Sequence, residues 1–378
     1  MTMPTTISLI QWPGWPTIFC FSILSSLLLL FNSLRRRQKS TGRSEVENKD
    51  VEPSCYPPVE ALPDFCWQTT EPVKIRPFKP RYNLTMSIQE ANISELIEMD
   101  KNYLDRITLR KKIMVEHAET VLGAEDCVKP AVDEFYVWLI GTYLPTRYPT
   151  MFQLLPATSD EQGYLHSSVT DEQFPLLPPI NPKDTLSLMG GLIDDDLLFL
   201  LPSDDGDSVT LKGFVTCFPN GFNTAKKLNL KLRDIHTPVP QYKEKLEKSM
   251  DRFFDKLKIG KFVKRANWTI QNTDRLFTAT GNHGYEGEVA TQEDLDLDIL
   301  FQARVRVERQ FLHRLPQTQA LLFSFKTLLY PLLEIKEEGL GEMLAEAIDG
   351  LKGGNAPGFH FYKRAAVWGE SAKAYLRS

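Results

Sequence analysis

The chain has too few cysteines, in too irregular a pattern, for a disulfide framework or a zinc site. There are five (Cys20, Cys55, Cys66, Cys127 and Cys217), an odd number with no C-x-x-C pair. Histidine is scarce too, with six in 378 residues. No Walker A loop, G-x-G-x-x-G, G-x-S-x-G or H-E-x-x-H occurs, so the common nucleotide, hydrolase and zinc signatures are missing. Positive charge is not in excess either. The net charge is −5, without the basic face that nucleic-acid binding needs, so no nucleic-acid partner is expected. The acidic runs Asp194–Asp196 and Asp204–Asp205 match no calcium loop and are expected in solvated loops. Cys217, in "VTCFPNGF", reads as a small buried thiol on a strand rather than a heme thiolate ligand.

One long hydrophobic run is present. "WPTIFCFSILSSLLLLFNSL", residues 15–34, carries no charge and is long enough to cross a bilayer as a helix. Trp12 and Trp15 stand at one end, and Arg35, Arg36, Arg37 and Lys39 follow the other. The basic flank keeps the C-terminal side in the cytosol. The segment therefore reads as a single-pass membrane anchor, with endoplasmic reticulum as the expected site and the domain facing the cytosol. A cleaved signal peptide would want a basic region first and a small-x-small site after, and neither is evident. The sequons at Asn83, Asn92 and Asn267 can be used only if the domain is lumenal.

The expected organisation is a short tail (1–14), the anchor (15–34), a polar linker rich in Ser, Pro and charge (35–63), a domain (64–350) and a C-terminal tail (351–378). Residues 94–123 and 130–149 have helical patterning. Further on, two apolar runs joined by an Asp-Gly turn predict a hairpin near residues 196–217. "QYKEKLEKSMDRFFDKLKIG" is an amphipathic helix with a glycine stop, and "KFVKRANWTIQ" alternates like a strand. Two more strand runs flank a turn at Pro316, and a last helix covers "GEMLAEAIDGLKGG". Helices first, then an antiparallel sheet with a crossing helix, define an α+β domain.

His236 stands in "RDIHTPVPQY". Pro238 and Pro240 fix their own φ and bias Thr237 and Val239 to extended backbone. Such a rigid segment suits an iron ligand, but it equally suits an inert histidine at a strand end. In "RANWTIQ", Arg265 and Asn267 share one strand face and Trp268 takes the other. Arg265 is suited to bidentate pairing with a carboxylate, and a plain surface arginine is the other reading. In "RVRVERQ", Arg304, Arg306 and Glu308 face one side and Val305, Val307 and Arg309 the other, which suggests an ion-pair network or an anion site.

"IRPFKPRYNLTM", "YLPTRYPTMF", "FPNGF", "KLNLKLRDIHTPVPQY", "VKRANWTIQ" and "RVRVERQFLHRLPQTQALLFSFKTLLYPL" occur in this order. Together they resemble a family whose characterised branch is the alpha subunit of heme-dependent oxidative N-demethylase. Its fungal branch, the HRQ family proteins, is similar in carrying an N-terminal hydrophobic segment. The resemblance covers about residues 65–350. It implies a PAS-like antiparallel sheet holding heme b, and oxygen activation at iron for removing a methyl group from a secondary amine. It also implies that His236, in the I-H-x-P-V-P motif, is the proximal iron ligand. Arg265 and Asn267 match the family's R-x-N-W motif, and Arg306, Glu308, Arg309 and Gln310 match R-x-E-R-Q. Glu308 and Arg306 are then expected in catalysis, and Arg265, Asn267, Arg309 and Gln310 against the cofactor or substrate. The expected partners are a small-molecule amine, molecular oxygen, a separate electron-donor reductase and the membrane. Two departures stand out. Phe222 follows Gly221 where the family often has tryptophan, and the bacterial demethylase lacks the anchor, which suits a more apolar amine or a biosynthetic intermediate. A non-catalytic heme sensor and a membrane-tethered glycan-processing enzyme are the alternative readings.

Overall fold

The computed structural model describes residues 55–157, 162–285, 287–289 and 301–378. The apolar run 15–34 and its basic flank lie outside the described residues. Among the described residues no helix is long and apolar enough to cross a membrane. The strands are β1 (Gln89–Ala91), β2 (Leu122–Ala124), β3 (Phe152–Leu155), β4 (Tyr164–Ser167), β5 (Glu172–Pro175), β6 (Asp196–Pro202), β7 (Val209–Val215), β8 (Phe262–Gln271), β9 (Arg304–Arg314) and β10 (Leu321–Pro331). The helices that carry the architecture are α1 (Tyr103–Glu116), α2 (Lys129–Trp138), α3 (Pro182–Gly190), α4 (Leu232–Ile235), α5 (Glu247–Lys256), α6 (Gly341–Gly353), α7 (Phe359–Tyr362) and α8 (Ala365–Arg377).

Seven strands form one sheet in the order β1-β8-β9-β10-β6-β7-β2, and β3-β4-β5 form a second. Every neighbouring pair is antiparallel. The mixed α+β class with antiparallel sheets is as expected. Local chemistry accounts for the joints. The β6–β7 turn closes with Ser203 N–H on Ser208 O at 3.0 Å, and Gly206 supplies a φ of +71°. Pro316 sits in the β9–β10 turn, where Leu315 N–H reaches Ala320 O at 2.8 Å. Asn181 caps α3 by accepting from Lys183 N–H, and Pro182 takes the first turn, where a missing N–H costs nothing.

Two core clusters hold the elements. One gathers Tyr103 and Ile107 of α1, Phe135 of α2, and Phe199, Phe311 and Leu322 of the sheet. The other joins Trp268, Val305 and Val307 to Leu344 and Ile348 of α6 and Trp368 of α8. The C-terminal stretch read as a tail thus contains α7 and α8, and α8 is part of a core. Part of the expected linker is also folded: Tyr56 stacks on Trp138, and Leu62 N–H reaches Arg147 O at 2.9 Å.

The acidic run 194–196 is the clearest correction. It is buried, not solvated. Asp194 meets Arg106 and Lys326, each at 3.0 Å, and Asp196 meets Arg110 at 2.6 Å. Asp196 also accepts from Cys217 N–H and Phe218 N–H. Arginines of α1 and the buried Lys326 of β10 turn the run inward, because a buried charge must be paired.

Candidate functional site

Strand register assembles one face. Asn267 lies opposite Glu308, Arg265 opposite Gln310 and Val263 opposite Leu312. The same face continues through Phe323 and Phe325 of β10 to Leu198 and Leu200 of β6. Directly opposed residues in antiparallel strands point the same way, so these side chains form a common floor. Above it close the segment 82–88, helices α4 and α5, and Phe359, Tyr362 and Lys363. The cavity has a volume of about 290 Å³. Its wall is mostly apolar, including Leu84, Met86, Leu232, Leu246, Met250 and Phe254, with a few convergent polar groups.

His236 is on that wall. The expected extended backbone is not found. His236 ends α4 at φ −97° and ψ 3°, and Val239 N–H turns back to His236 O at 2.9 Å. Thr237 still precedes a proline, but the chain makes a turn there instead of a straight segment. The imidazole is fixed by other means. Its Nδ1 is 2.8 Å from Leu232 O and so carries the proton, and the ring stacks on Tyr242 at 4.8 Å. Nε2 is left as a lone pair. Burial lowers the pKa to about 4, with Lys227 and Arg265 pushing the same way, so the ring is neutral at neutral pH. The residue is half-buried, and what is uncovered opens on the cavity.

Glu308 is the sole carboxylate among the described residues lining the cavity, and it accepts from Gln310 Nε2 at 2.7 Å. Around it stand Lys227, Arg265 and Lys363. Burial lowers Lys227 to about 8 and Lys363 to about 7, while Glu308 pulls both back up. Lys363 donates to Asn267 Oδ1 at 3.0 Å and to Trp268 O, and its Nζ lies 5.1 Å from the centre of the Tyr82 ring. Arg265 is lowered by burial, and its Nε has no partner among the described residues. Asn267 lines the cavity and accepts from Lys363 there.

Of the residues expected here, the fold brings together His236, Arg265, Asn267, Glu308 and Gln310. Arg306 and Arg309 are elsewhere. Arg306 is fully buried and donates to Phe218 O at 2.6 Å, Pro219 O at 3.1 Å and Leu276 O at 3.1 Å, tying down the loops at one end of the cavity. Arg309 projects from the other face of β9 to Glu95 O and Leu96 O. Cys217 is buried outside the cavity lining, and burial pushes its thiol up to about 12, which keeps it protonated. Lys227, Lys363 and His283 were not foreseen. His283 lines the cavity, stacks on Tyr362 at 4.4 Å and is held down to about 3 by burial. The glycines flanking "GNHGY" were its only signal.

A cavity over an antiparallel sheet, with one oriented neutral histidine and a cationic end, defines an α+β ligand-binding domain. Among the described residues no three His, Cys, Asp or Glu side chains are placed to hold a metal ion. A macrocyclic cofactor asks for only one protein ligand. Residues 87–373 match the family model described as haem-dependent oxidative N-demethylase, alpha subunit-like. The chain belongs to that family, whose name is that of a heme-dependent oxidative enzyme.

Proposed function

We propose that this chain is a heme-dependent oxidase or monooxygenase that acts on an amine, with His236 as the iron ligand. One observation carries the reading. His236 commits Nδ1 to Leu232 O and presents an unshared pair on Nε2 to the cavity of this family's domain. A carbonyl-bound Nδ1 is what fixes the orientation and basicity of a ligating imidazole. The rest of the cavity suits heme b. Apolar walls would take the macrocycle. Lys227, Arg265 and Lys363 outnumber Glu308, an excess of positive charge that matches acidic substituents. Bound there, the heme would supply oxygen activation and electron transfer. Glu308 is placed to receive the N–H of a protonated amine and to hold its proton, with Gln310 fixing the carboxylate. Arg306 positions the loops at the cavity end and contacts no substrate.

The wider reading follows from the same proposal. The sheet is taken as PAS-like, the run 15–34 as a membrane anchor in the endoplasmic reticulum, and electrons as coming from a separate reductase. The test is the absorption spectrum of the full chain titrated with hemin, for wild type, His236→Ala and Glu308→Gln. Wild type should give a saturable Soret shift that His236→Ala loses. Glu308→Gln should keep the shift and lose turnover of a secondary amine under reductant. No shift in wild type overturns the proposal, and a bound heme with no turnover of any amine reduces it to a heme-binding protein.

A further inference from the structure

Behind the cavity floor, β9 carries a second group that the reading above does not use. Leu312 lines the cavity, and the next residue, His313, points to the opposite side of the sheet. His313 is fully buried. The rings of Phe262, Phe311 and Phe135 stand 5.5, 6.1 and 6.3 Å from it. Its one hydrogen-bond partner among the described residues is the Tyr56 hydroxyl, 3.0 Å from Nε2, and Nδ1 has none. Tyr56 in turn stacks on Trp138 with centroids 3.8 Å apart and planes at 20°. Trp138 is half-buried, so this pair leads from behind the cavity to the surface.

The direction of the Tyr56–His313 bond follows from counting orphans. If the phenol donates to Nε2, only the Nδ1–H is left unpaired. If Nε2–H donates to the phenol, both Nδ1 and the phenolic O–H are left unpaired. Each buried unpaired group carries a desolvation penalty, so the first arrangement wins. A phenol donating into a neutral imidazole is built for coupled loss of an electron and a proton. A phenol that loses an electron becomes a far stronger acid than an imidazolium, so its proton moves to Nε2 even in this apolar setting. The rings around His313 bury it fully, Tyr56 is half-buried, and the stacked indole offers the next donor outward.

We infer that Tyr56 is a redox-active phenol, whose one-electron oxidation passes its proton to Nε2 of His313 and whose electron is replaced through Trp138. The balance is complete with a one-electron metal oxidant. The oxidant gains one electron, the Tyr56 O–H becomes a neutral phenoxyl radical, and His313 becomes imidazolium. On return, Trp138 supplies the electron, the proton goes back to the phenol, and a reductant in solution refills the indole. In the heme reading proposed above, this path drains oxidising equivalents left in the cavity when no amine is bound.

The test supplies its own oxidant, so its failure is separate from any failure of the heme reading. Full-length protein carrying 3-fluorotyrosine at position 56 is illuminated with tris(bipyridine)ruthenium(II) and a sacrificial cobalt(III) acceptor, frozen, and examined by electron paramagnetic resonance. The radical should show fluorine hyperfine splitting. Its yield should fall several-fold in His313→Phe, and in His313→Gln, which keeps a hydrogen-bond acceptor for the phenol but no proton acceptor of imidazole basicity. Circular dichroism identifies a variant that has not folded, and the other variant then decides. Trp138→Phe should lengthen the life of the radical. A radical without fluorine splitting overturns the inference, as does a yield that survives in the folded His313 variant. An unchanged lifetime in Trp138→Phe removes the relay.

Discussion

Lowering the pH from 7 to 5 should destabilise the domain, and one buried carboxyl should hide about a third of the effect. His283 and His313 are both held down to about 3 by burial, and His236 to about 4. Such a group stays neutral in the folded protein while the unfolded chain takes up protons below its ordinary value. Stability is therefore lost as the pH falls from about 7 toward 4, at about 2 kcal/mol for each histidine by pH 5. Asp195 works the other way. It is buried, neither carboxylate oxygen has a partner among the described residues, and burial raises it to about 7. The folded protein then holds a proton that the unfolded chain releases, and stability is gained over the same range, again about 2 kcal/mol. Carboxylates with lowered values, such as Glu338, stay ionised in both states across this window and contribute little. The net loss should be about 4 kcal/mol, read as a drop in the urea midpoint between pH 7 and pH 5. Asp195→Asn removes the compensation and should raise the loss by about half, while His313→Gln should shrink it. An Asp195→Asn protein with the pH dependence of wild type refutes the reasoning.

Lys326→Met strips the cation from a fully buried cluster in which Nζ is 3.0 Å from both Asp100 and Asp194 and 2.8 Å from Glu98 O. Urea unfolding should show a loss of about 3–5 kcal/mol, partly restored by adding Asp194→Asn. Gly221→Ala places a Cβ 2.8 Å from His283 Nδ1 at a φ of +75°. It should cost about 1–3 kcal/mol, seen as a melting temperature several degrees lower.

What could be read in the sequence depended on how local the signal was. The β6–β7 and β9–β10 hairpins were legible because an Asp-Gly pair and Pro316 mark them within a few residues. Strand alternation put Arg265 with Asn267 and Arg306 with Glu308, but only the β8–β9 register joins the two faces. Lys227, His283 and Lys363 were invisible, because they come from separate segments that only the folded chain brings around Glu308. The run Asp194–Asp196 misled for the same reason: its partners lie in α1 and β10, far along the chain. His236 was found by its motif, yet the prolines do not make a straight segment there. Leu232 O and the Tyr242 ring hold the imidazole instead. The folded C-terminus was obscured by glycines 353, 354 and 358, which read as an ending although α8 lies beyond them.

Strand β9 carries two messages at once. Alternate residues face the cavity (Glu308, Gln310, Leu312), and Val307, Arg309 and His313 between them project to the other side. The two sets can therefore change independently: a descendant can acquire a new ligand by rewriting every second position and leave the scaffold untouched. The same arrangement makes the strand intolerant of length change. Inserting one residue would exchange the two sets, sending the carboxylate into the core and a core residue such as Val307 toward the cavity.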